Sequence, residues 1–452
     1  MKILLAAHQF LPDYSTGTEV LTWHSAQALR DLGHEVRVFT AMPTAVALDD
    51  AQRFDAYVFE GIAVTRFRHG HRAMGDQDNV LELEYDNHLV ARHFAALLDE
   101  FKPEVVHFFH LMRLSASVVD VCTARGIAMV LTPTDFWFVC PTCQLRLEDG
   151  TACAGPDPVA ANCVRHLAAL KAPAAIGTVL RLMPQGALSA MVKLAAQAPL
   201  SRIKAARMVT ALARRRDFLR QRLNRIDRVL VPTRVMRDTL LGLGLDPART
   251  RSCSYGVRLP PLAAAPRHER GPLVIGVIGL GRHKGAQVVI AALGKLSGVG
   301  LRLKIYGREA DFPQHFEQLR RMAANDARVE FCGGFANEDI GSVLADLDIL
   351  AVPSTWAENA PLVVYSAQAA ARPVLASDVA GIAELVTHGD NGWLFPAGDA
   401  DALARIIAEL AQDRTKIDNV AARARPPKSI AVYAGELLDN YRELAANRRW
   451  AT

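Results

Sequence analysis

Apolar runs alternate with stretches of helical period along the first part of the chain. Lys2–Ala7, Glu35–Thr40, Ile62–Phe67, Glu104–Phe109 and Ala128–Thr132 read as strands, while Val20–Leu32 and Asn87–Phe101 read as helices. Strand-helix alternation predicts a parallel, doubly wound sheet. Arg228–Pro232 resumes the pattern, and a second series starts near Pro272. Its strands are Leu273–Ile278, Leu301–Tyr306, Asp348–Val352 and Pro373–Ala376; its helices include Gln287–Leu296, Glu338–Asp346 and Leu362–Ala371.

Residues 259–271 (Leu-Pro-Pro-Leu-Ala-Ala-Ala-Pro-Arg-His-Glu-Arg-Gly) have linker composition. The expected division is therefore a domain over 1–258, the linker 259–271, a second domain over 272–425, and a C-terminal helix within 426–452 that packs back on the first domain. Two facing α/β domains would each offer a ligand crevice at the carboxyl ends of their strands and enclose a cleft. The 452 residues, half of them hydrophobic, suffice for two full cores.

No apolar run approaches the roughly 20 residues of a membrane span, and the apolar start at Met1–Ala7 is too short for a signal peptide. The expectation is a cytoplasmic protein with its seven cysteines reduced. The net charge of +5 is uneven. Residues 164–228 hold 14 Lys/Arg against Asp217 and Asp227, a balance of +12, which leaves −7 for the remainder. A localised basic segment points to a localised anionic partner. It carries few stacking aromatics and no nucleic-acid motif, so nucleic acid is not expected. Met208, Leu212, Leu219, Leu223 and Ile226 form an apolar stripe flanked by Arg207, Arg214, Arg216 and Arg220. Such a basic amphipathic helix either docks on its own domain or lies against an anionic membrane or a lipid-diphosphate acceptor.

Cys140-Pro-Thr-Cys143 is followed by Cys153 and Cys163 in a turn-rich stretch, so 140–163 reads as a Cys-rich loop. Four thiolates suit a structural tetrahedral zinc; reduced thiols without metal, or a disulfide, are the other readings.

Glycines at Gly279-Leu-Gly281-Arg282-His-Lys284-Gly285 follow a strand and open a helix, allowing close backbone approach to a ligand. Pro361 suits the first position of a helix, with Asn359 or Ala360 near its cap and Leu362 following, and a helix N-terminus suits a phosphate. Pro353-Ser-Thr-Trp-Ala-Glu358-Asn359-Ala360-Pro361-Leu362-Val-Val-Tyr365 strongly resembles the donor-site motif of the retaining GT-B glycosyltransferases, the family-4-like "glycosyl transferases group 1". Pro373–Glu384 and Asn391–Phe395 fit the same family, as do Pro12–Glu19, Gly33–Val36 and Val105–His107 in the first half.

The resemblance implies transfer of a sugar from a nucleotide-diphosphate sugar to a glycan or lipid-linked acceptor, in bacterial cell-surface polysaccharide synthesis, with no catalytic metal. It implies that Glu358 holds the donor sugar and that Lys284 and Arg282 neutralise the diphosphate. Gly17 and Thr18 of the glycine-rich loop, Gly307, and the 359–362 turn complete the donor site. Asp135 joins Glu358 and Lys284 as a catalytic candidate. Two positions depart from the family. Ser366 stands where a glutamate would hold the ribose, and Thr134 stands where a histidine would contact the donor, leaving Asp135, His107 or His110 to supply that contact. These departures keep a catalytically impaired scaffold subunit open, and the shared architecture keeps a nucleotide-sugar epimerase open.

Overall fold

The computed structural model describes residues 1–147, 149–197, 203–258, 271–324 and 326–449. Its elements run β1 (Lys2–Ala7), α1 (Gly17–Asp31), β2 (Glu35–Pro43), β3 (Phe54–Phe59), β4 (Ile62–His69), α2 (His88–Phe101), β5 (Val105–Phe108), α3 (Ser117–Ala124) and β6 (Ala128–Leu131). Four helices follow, α4 (Ala161–Lys171), α5 (Ala174–Leu182), α6 (Gln185–Ala195) and α7 (Lys204–Leu223), then β7 (Arg228–Val231), α8 (Arg234–Leu243) and β8 (Thr250–Ser252). The second series is β9 (Leu273–Ile278), α9 (Ala286–Leu293), β10 (Leu301–Tyr306), α10 (Pro313–Ala323), β11 (Val329–Gly333), α11 (Ile340–Ala345) and β12 (Ile349–Val352). It ends with α12 (Leu362–Ala369), β13 (Val374–Ser377), α13 (Ala380–Ala383), β14 (Gly392–Phe395), α14 (Ala400–Gln412), α15 (Thr415–Ala422) and α16 (Ile430–Arg449).

The chain forms two compact units. Unit 1 is Met1–Ser254 with the stretch from Ala431 onward, and unit 2 is Tyr255–Ile430. The division thus falls a few residues before the expected linker, of which 259–270 lie outside the described residues.

Unit 2 holds a six-stranded, wholly parallel sheet in the order β11-β10-β9-β12-β13-β14. Numbered from its own first strand this is 3-2-1-4-5-6, the dinucleotide-binding order. Both faces of its centre are covered, so the central strands β9 and β12 are apolar throughout, as in Leu273-Val-Ile-Gly-Val-Ile278. Unit 1 has an eight-stranded sheet, β3-β4-β2-β1-β5-β6-β7-β8, parallel except for the β3–β4 hairpin. Its centre repeats the same winding, and α16 packs on it: Arg228 pairs with Glu443, and His107 Nδ1 lies 2.5 Å from the Tyr441 hydroxyl.

Local sequence explains the element starts. The Glu19 carboxylate accepts from the Thr16 N–H at 2.9 Å and closes a capping box on α1. Asn87, Thr233 and Asp399 cap α2, α8 and α14 with side-chain oxygens.

The basic segment is a four-helix insertion between β6 and β7. The expected stripe of α7 is its inner face: Leu212, Leu219 and Leu223 are buried, as is Ile226 just beyond. Its cations are largely matched within unit 1. Arg207 pairs with Asp78, Arg222 and Arg225 with Asp120, and buried Arg215 donates to the Trp137 carbonyl. The docked alternative therefore describes α7.

Candidate active site

In a doubly wound sheet, ligands collect where the winding reverses, beyond the carboxyl ends of the strands. In unit 2 that place lies between β9 and β12. The loops that leave these strands are Gly279–Gly285 and Pro353–Pro361, the segments singled out in sequence. Gly285 brings them together: its φ is +83°, and a Cβ there would stand 1.8 Å from the Pro353 carbonyl oxygen. The Thr355 N–H also donates to the His283 carbonyl at 2.8 Å. On the far side, a Cβ on Gly381 would stand 2.0 Å from the Glu358 carbonyl oxygen. The Glu358 loop is thus clamped between two backbones that only glycine lets approach.

Three donors converge on one oxygen of Glu358. Lys284 Nζ reaches Oε1 at 2.8 Å, Ser354 Oγ at 2.7 Å and Trp356 Nε1 at 2.7 Å. None of these contacts uses Oε2. Burial would raise the Glu358 pKa, but the Lys284 charge and these hydrogen bonds hold it below the usual carboxylate range. The carboxylate is therefore charged and fixed. Lys284 keeps about a third of its side chain exposed and has three N–H donors, of which Glu358 takes one. The Trp356 ring lies 5.6 Å from Nζ.

The other expected donor residues are placed as follows. Arg282 is exposed on the turn before Lys284. Gly307 follows β10, where a Cβ would stand 2.7 Å from Leu280 Cγ, so it seats the glycine loop. Buried Asn359 donates to the Tyr255 hydroxyl at 3.2 Å, and Ala360 is buried beside it. Pro361 is extended (φ −66°, ψ 121°) and serves as the cap; α12 begins at Leu362 rather than at the proline, since ψ there turns helical one residue later. Ser366 is half-buried on α12. Ser354 and Trp356, which hold Glu358, lie inside the motif quoted from sequence, yet nothing in their spacing announced that role.

In unit 1 the winding reverses between β1 and β5. Thr18 Oγ1 donates to Thr134 Oγ1 at 2.8 Å, joining the start of α1 to the loop after β6; Gly17 is exposed beside it. Beside Thr134, His110 Nε2 lies 2.7 Å from Asp135 Oδ2. His110 Nδ1 accepts from the Met112 N–H at 3.1 Å, so the ring proton sits on Nε2 and points at the carboxylate. The Trp137 N–H holds the other Asp135 oxygen at 2.8 Å. The His8 ring centroid lies 4.1 Å from that of His110, the rings tilted by 38°; burial, then His110 and Arg113, press its pKa well below the ordinary value. Sequence reading missed His8. His107 is different: Tyr441 and Thr132 occupy its two nitrogens, and burial pushes its pKa down to about 3. Of the histidines near Thr134, His110 is therefore placed for chemistry and His107 for structure.

The four cysteines do not form one ligand set. Cys140, Cys153 and Cys163 line a cavity of about 10 Å³ together with His166. Cys143 turns away, with its sulfur 3.9 Å from Met112 Sδ, and converges instead with His110 and Asp135. Among the described residues, the triads whose ligand atoms lie within 4.8 Å of one another are His110/Asp135/Cys143 and His69/His71/Glu84. The C-x2-C spacing suggested a half-site, but Cys143 at φ +64° sends its side chain elsewhere.

Two parallel sheets wound in the dinucleotide-binding order, with polar loops gathered at each reversal, define the two-Rossmann (GT-B) class of protein. A family model described as "Glycosyl transferase 4-like domain" matches residues 16–256, more than half the chain, and one described as "Glycosyl transferases group 1" matches residues 272–413. The chain belongs to this glycosyltransferase family.

Among curated relatives, the amylovoran biosynthesis glycosyltransferase AmsK of Erwinia amylovora is 37% identical over 118 residues, 24% of this chain and 29% of that protein. The phosphatidyl-myo-inositol mannosyltransferase of Mycobacterium leprae is 29% identical over 233 residues, 49% of this chain and 60% of that protein. The chain thus matches less than two thirds of the length of either relative. Among solved structures, Anabaena HepE in complex with UDP is 17% identical with a TM-score of 0.64, covering 98% of this chain and all of that one. Sucrose-phosphate synthase from Thermosynechococcus elongatus gives 17% and 0.65, with 99% of both chains covered. At such identities the likeness shows the fold alone.

Proposed function

We propose that the protein is a retaining glycosyltransferase that moves a sugar from a nucleotide-diphosphate sugar to a glycan or lipid-linked acceptor on the cytoplasmic side of a bacterial membrane, in cell-surface polysaccharide synthesis. The observation that carries this reading is the pairing of buried Glu358 with half-buried Lys284 at the reversal point of unit 2. A lysine with two N–H donors to spare suits a departing diphosphate, whose negative charge grows in the transition state. Glu358, charged and with Oε2 clear of these contacts, suits donor-sugar hydroxyls. Arg282 adds charge at the edge, and α12 turns its N-terminal N–H groups to the same region. The names of the amylovoran biosynthesis glycosyltransferase and of the phosphatidyl-myo-inositol mannosyltransferase, with the UDP bound by HepE, support the substrate class. In unit 1, the Asp135–His110 dyad takes the place that Thr134 cannot fill. No covalent glycosyl intermediate belongs to this proposal.

The test is a thermal-shift screen against a panel of nucleotide sugars, followed by a donor-turnover assay. Binding to the folded state raises Tm, by mass action. A shift with at least one nucleotide sugar and release of its nucleotide are expected. Shift without turnover would replace this reading by the impaired-subunit one, isomerised donor by the epimerase one, and neither shift nor turnover would end it.

A further inference from the structure

Twelve large apolar side chains stand exposed among the described residues, and six of them fall between positions 170 and 203: Leu170, Ile176, Val179, Leu182, Leu194 and Ile203. α5 is the extreme case. Ile176, Val179 and Leu182 recur at every third position, hence on one side of the helix, and are 51%, 60% and 75% exposed. The only buried residue of α5 is Gly177, where a Cβ would stand 3.3 Å from the Ala168 carbonyl oxygen of α4. That glycine lets α5 lie on α4, with Leu180 half-buried against the small core beneath and Ile176, Val179 and Leu182 facing outward. α6 turns back at 119° and buries Leu188 and Val192 in a small core shared with Leu212 of α7, leaving Leu194 outside.

Charge accompanies this face. Residues 158–216 contain ten Lys/Arg and no Asp or Glu. Lys171, Arg181 and Lys193 are exposed on the same three helices. An apolar ridge on helices that carry cations and no acid of their own disfavours a second copy of itself, because like charges would be brought together, and it matches an anionic bilayer in both respects. At 9 and 11 residues, α5 and α6 are each too short to cross a bilayer, and their bend excludes one straight span of roughly 20 residues.

We propose that α5 and α6 form a peripheral docking surface for an anionic lipid bilayer, with Ile176, Val179 and Leu182 entering the interface and Lys171, Arg181 and Lys193 meeting the headgroups. This deepens the acceptor part of the proposed function by favouring the lipid-linked class, but it rests on these helices and not on glycosyl transfer. It also moves the membrane contact from α7, whose apolar stripe is buried, to the helices before it.

The test is co-sedimentation of the full chain with vesicles of phosphatidylcholine alone or mixed with phosphatidylglycerol, at low and physiological salt. The expected result is binding to the mixed vesicles that weakens as salt rises. The double variant Val179→Asp/Leu182→Asp should weaken it about tenfold or more, and Arg181→Ala/Lys193→Ala by a few-fold. Circular dichroism and the thermal shift with nucleotide should not change, because these side chains are exposed; this separates loss of docking from loss of the fold or of the donor site. Equal binding to both vesicle types, no binding to either, or an unaffected double variant would overturn the proposal. So would a concentration-dependent dimer abolished by the double variant, which would make the ridge a self-association surface.

Discussion

The two reversal points solve the burial of polar groups in opposite ways. In unit 2 the buried carboxylate of Glu358 meets a lysine, a hydroxyl and an indole N–H, and its pKa falls although burial alone would raise it. In unit 1 the equally buried Glu19 meets mainly Thr16, and burial wins, so its pKa rises. Unit 2 thus keeps a permanent charge pair at its site, whereas unit 1 gathers neutral imidazoles: His8 and His107, like His69 at the end of β4, have pKa values lowered first by burial. A fixed charge pair fits the handling of a diphosphate; closely packed and hydrogen-bonded imidazoles fit the positioning of hydroxyls.

The largest expected effect tests the charged side of this contrast. Glu358→Gln and Lys284→Ala should each lower kcat/KM for transfer by about 10²-fold or more, with the circular dichroism spectrum retained. Lys284→Ala also leaves Glu358 buried without its cation, so a stability loss of a few kcal/mol should accompany it but not Glu358→Gln. If both variants turn over donor at nearly the native rate, the charge pair is structural and the comparison between the sites fails.

Acid should then separate the units. A histidine whose folded pKa is depressed contributes its full stability above the unfolded value near 6.5 and loses it as pH falls below that value. For His107, at about 3 in the fold, pH 5 removes about 2 kcal/mol, at 1.36 kcal/mol per pH unit. His69, at about 4, acts in the same window. Glu358 has the opposite chemistry: its depressed pKa stabilises above the unfolded value near 4.3, and that contribution is lost only as pH falls further. Hydrogen exchange between pH 7 and pH 5 should therefore show protection lost around β5 and α16 while β9 and β12 stay protected. Earlier loss in unit 2 would contradict the assignment.

A smaller effect sharpens the role of unit 1. His110→Gln and Asp135→Asn should each reduce kcat by about tenfold, with little change in the nucleotide-induced thermal shift, because the dyad is not in the unit that carries the donor loops. A change confined to stability would return His110 to a packing role.

How much of this was written in the sequence differs between the same two regions. The loops of unit 2 were readable because a left-handed backbone at 279 and close backbone approach at 285 demand glycine, and a proline suits the turn before Leu362. Such local rules leave a local trace. The strands β3, β8, β11 and β14 escaped notice, and β8 has only three residues. β3 alternates exposed and half-buried residues in an edge hairpin, β11 is likewise an edge strand, and β14 has four residues. In unit 1, the choice of His110 over His107 depends on Tyr441, more than 300 positions away, and no spacing rule carries that information. The cysteine loop shows a related limit: the spacing left a shared ligand, free thiols and a disulfide open, and it is the backbone at Cys143, at φ +64°, that turns its sulfur toward Met112.

The smallest expected effect concerns Ser366, where the proposed donor site departs from the family pattern. Ser366 is half-buried on the first turns of α12, eight positions beyond Glu358. Only the part from Leu362 onward is helical, so the reach from Glu358 to Ser366 is not that of a continuous helix. A serine supplies at most a neutral hydrogen bond to a ribose hydroxyl, whereas a carboxylate supplies charge-assisted ones worth roughly 1.5–3 kcal/mol before desolvation is subtracted. Ser366→Glu should therefore tighten the free nucleoside diphosphate by a few-fold, up to about tenfold at 1.4 kcal/mol per decade. The gain should shrink for 2′-deoxy analogues, because the added contact is to the sugar hydroxyls. Calorimetric titration of the variant with both nucleotide types measures this. Loss of binding in a variant that keeps its fold would mean that the pocket beside α12 is shaped around a small side chain. The charge pair at Lys284 and Glu358 would then be the part of the donor geometry that this chain shares with its family, and the ribose contact the part that it has rebuilt.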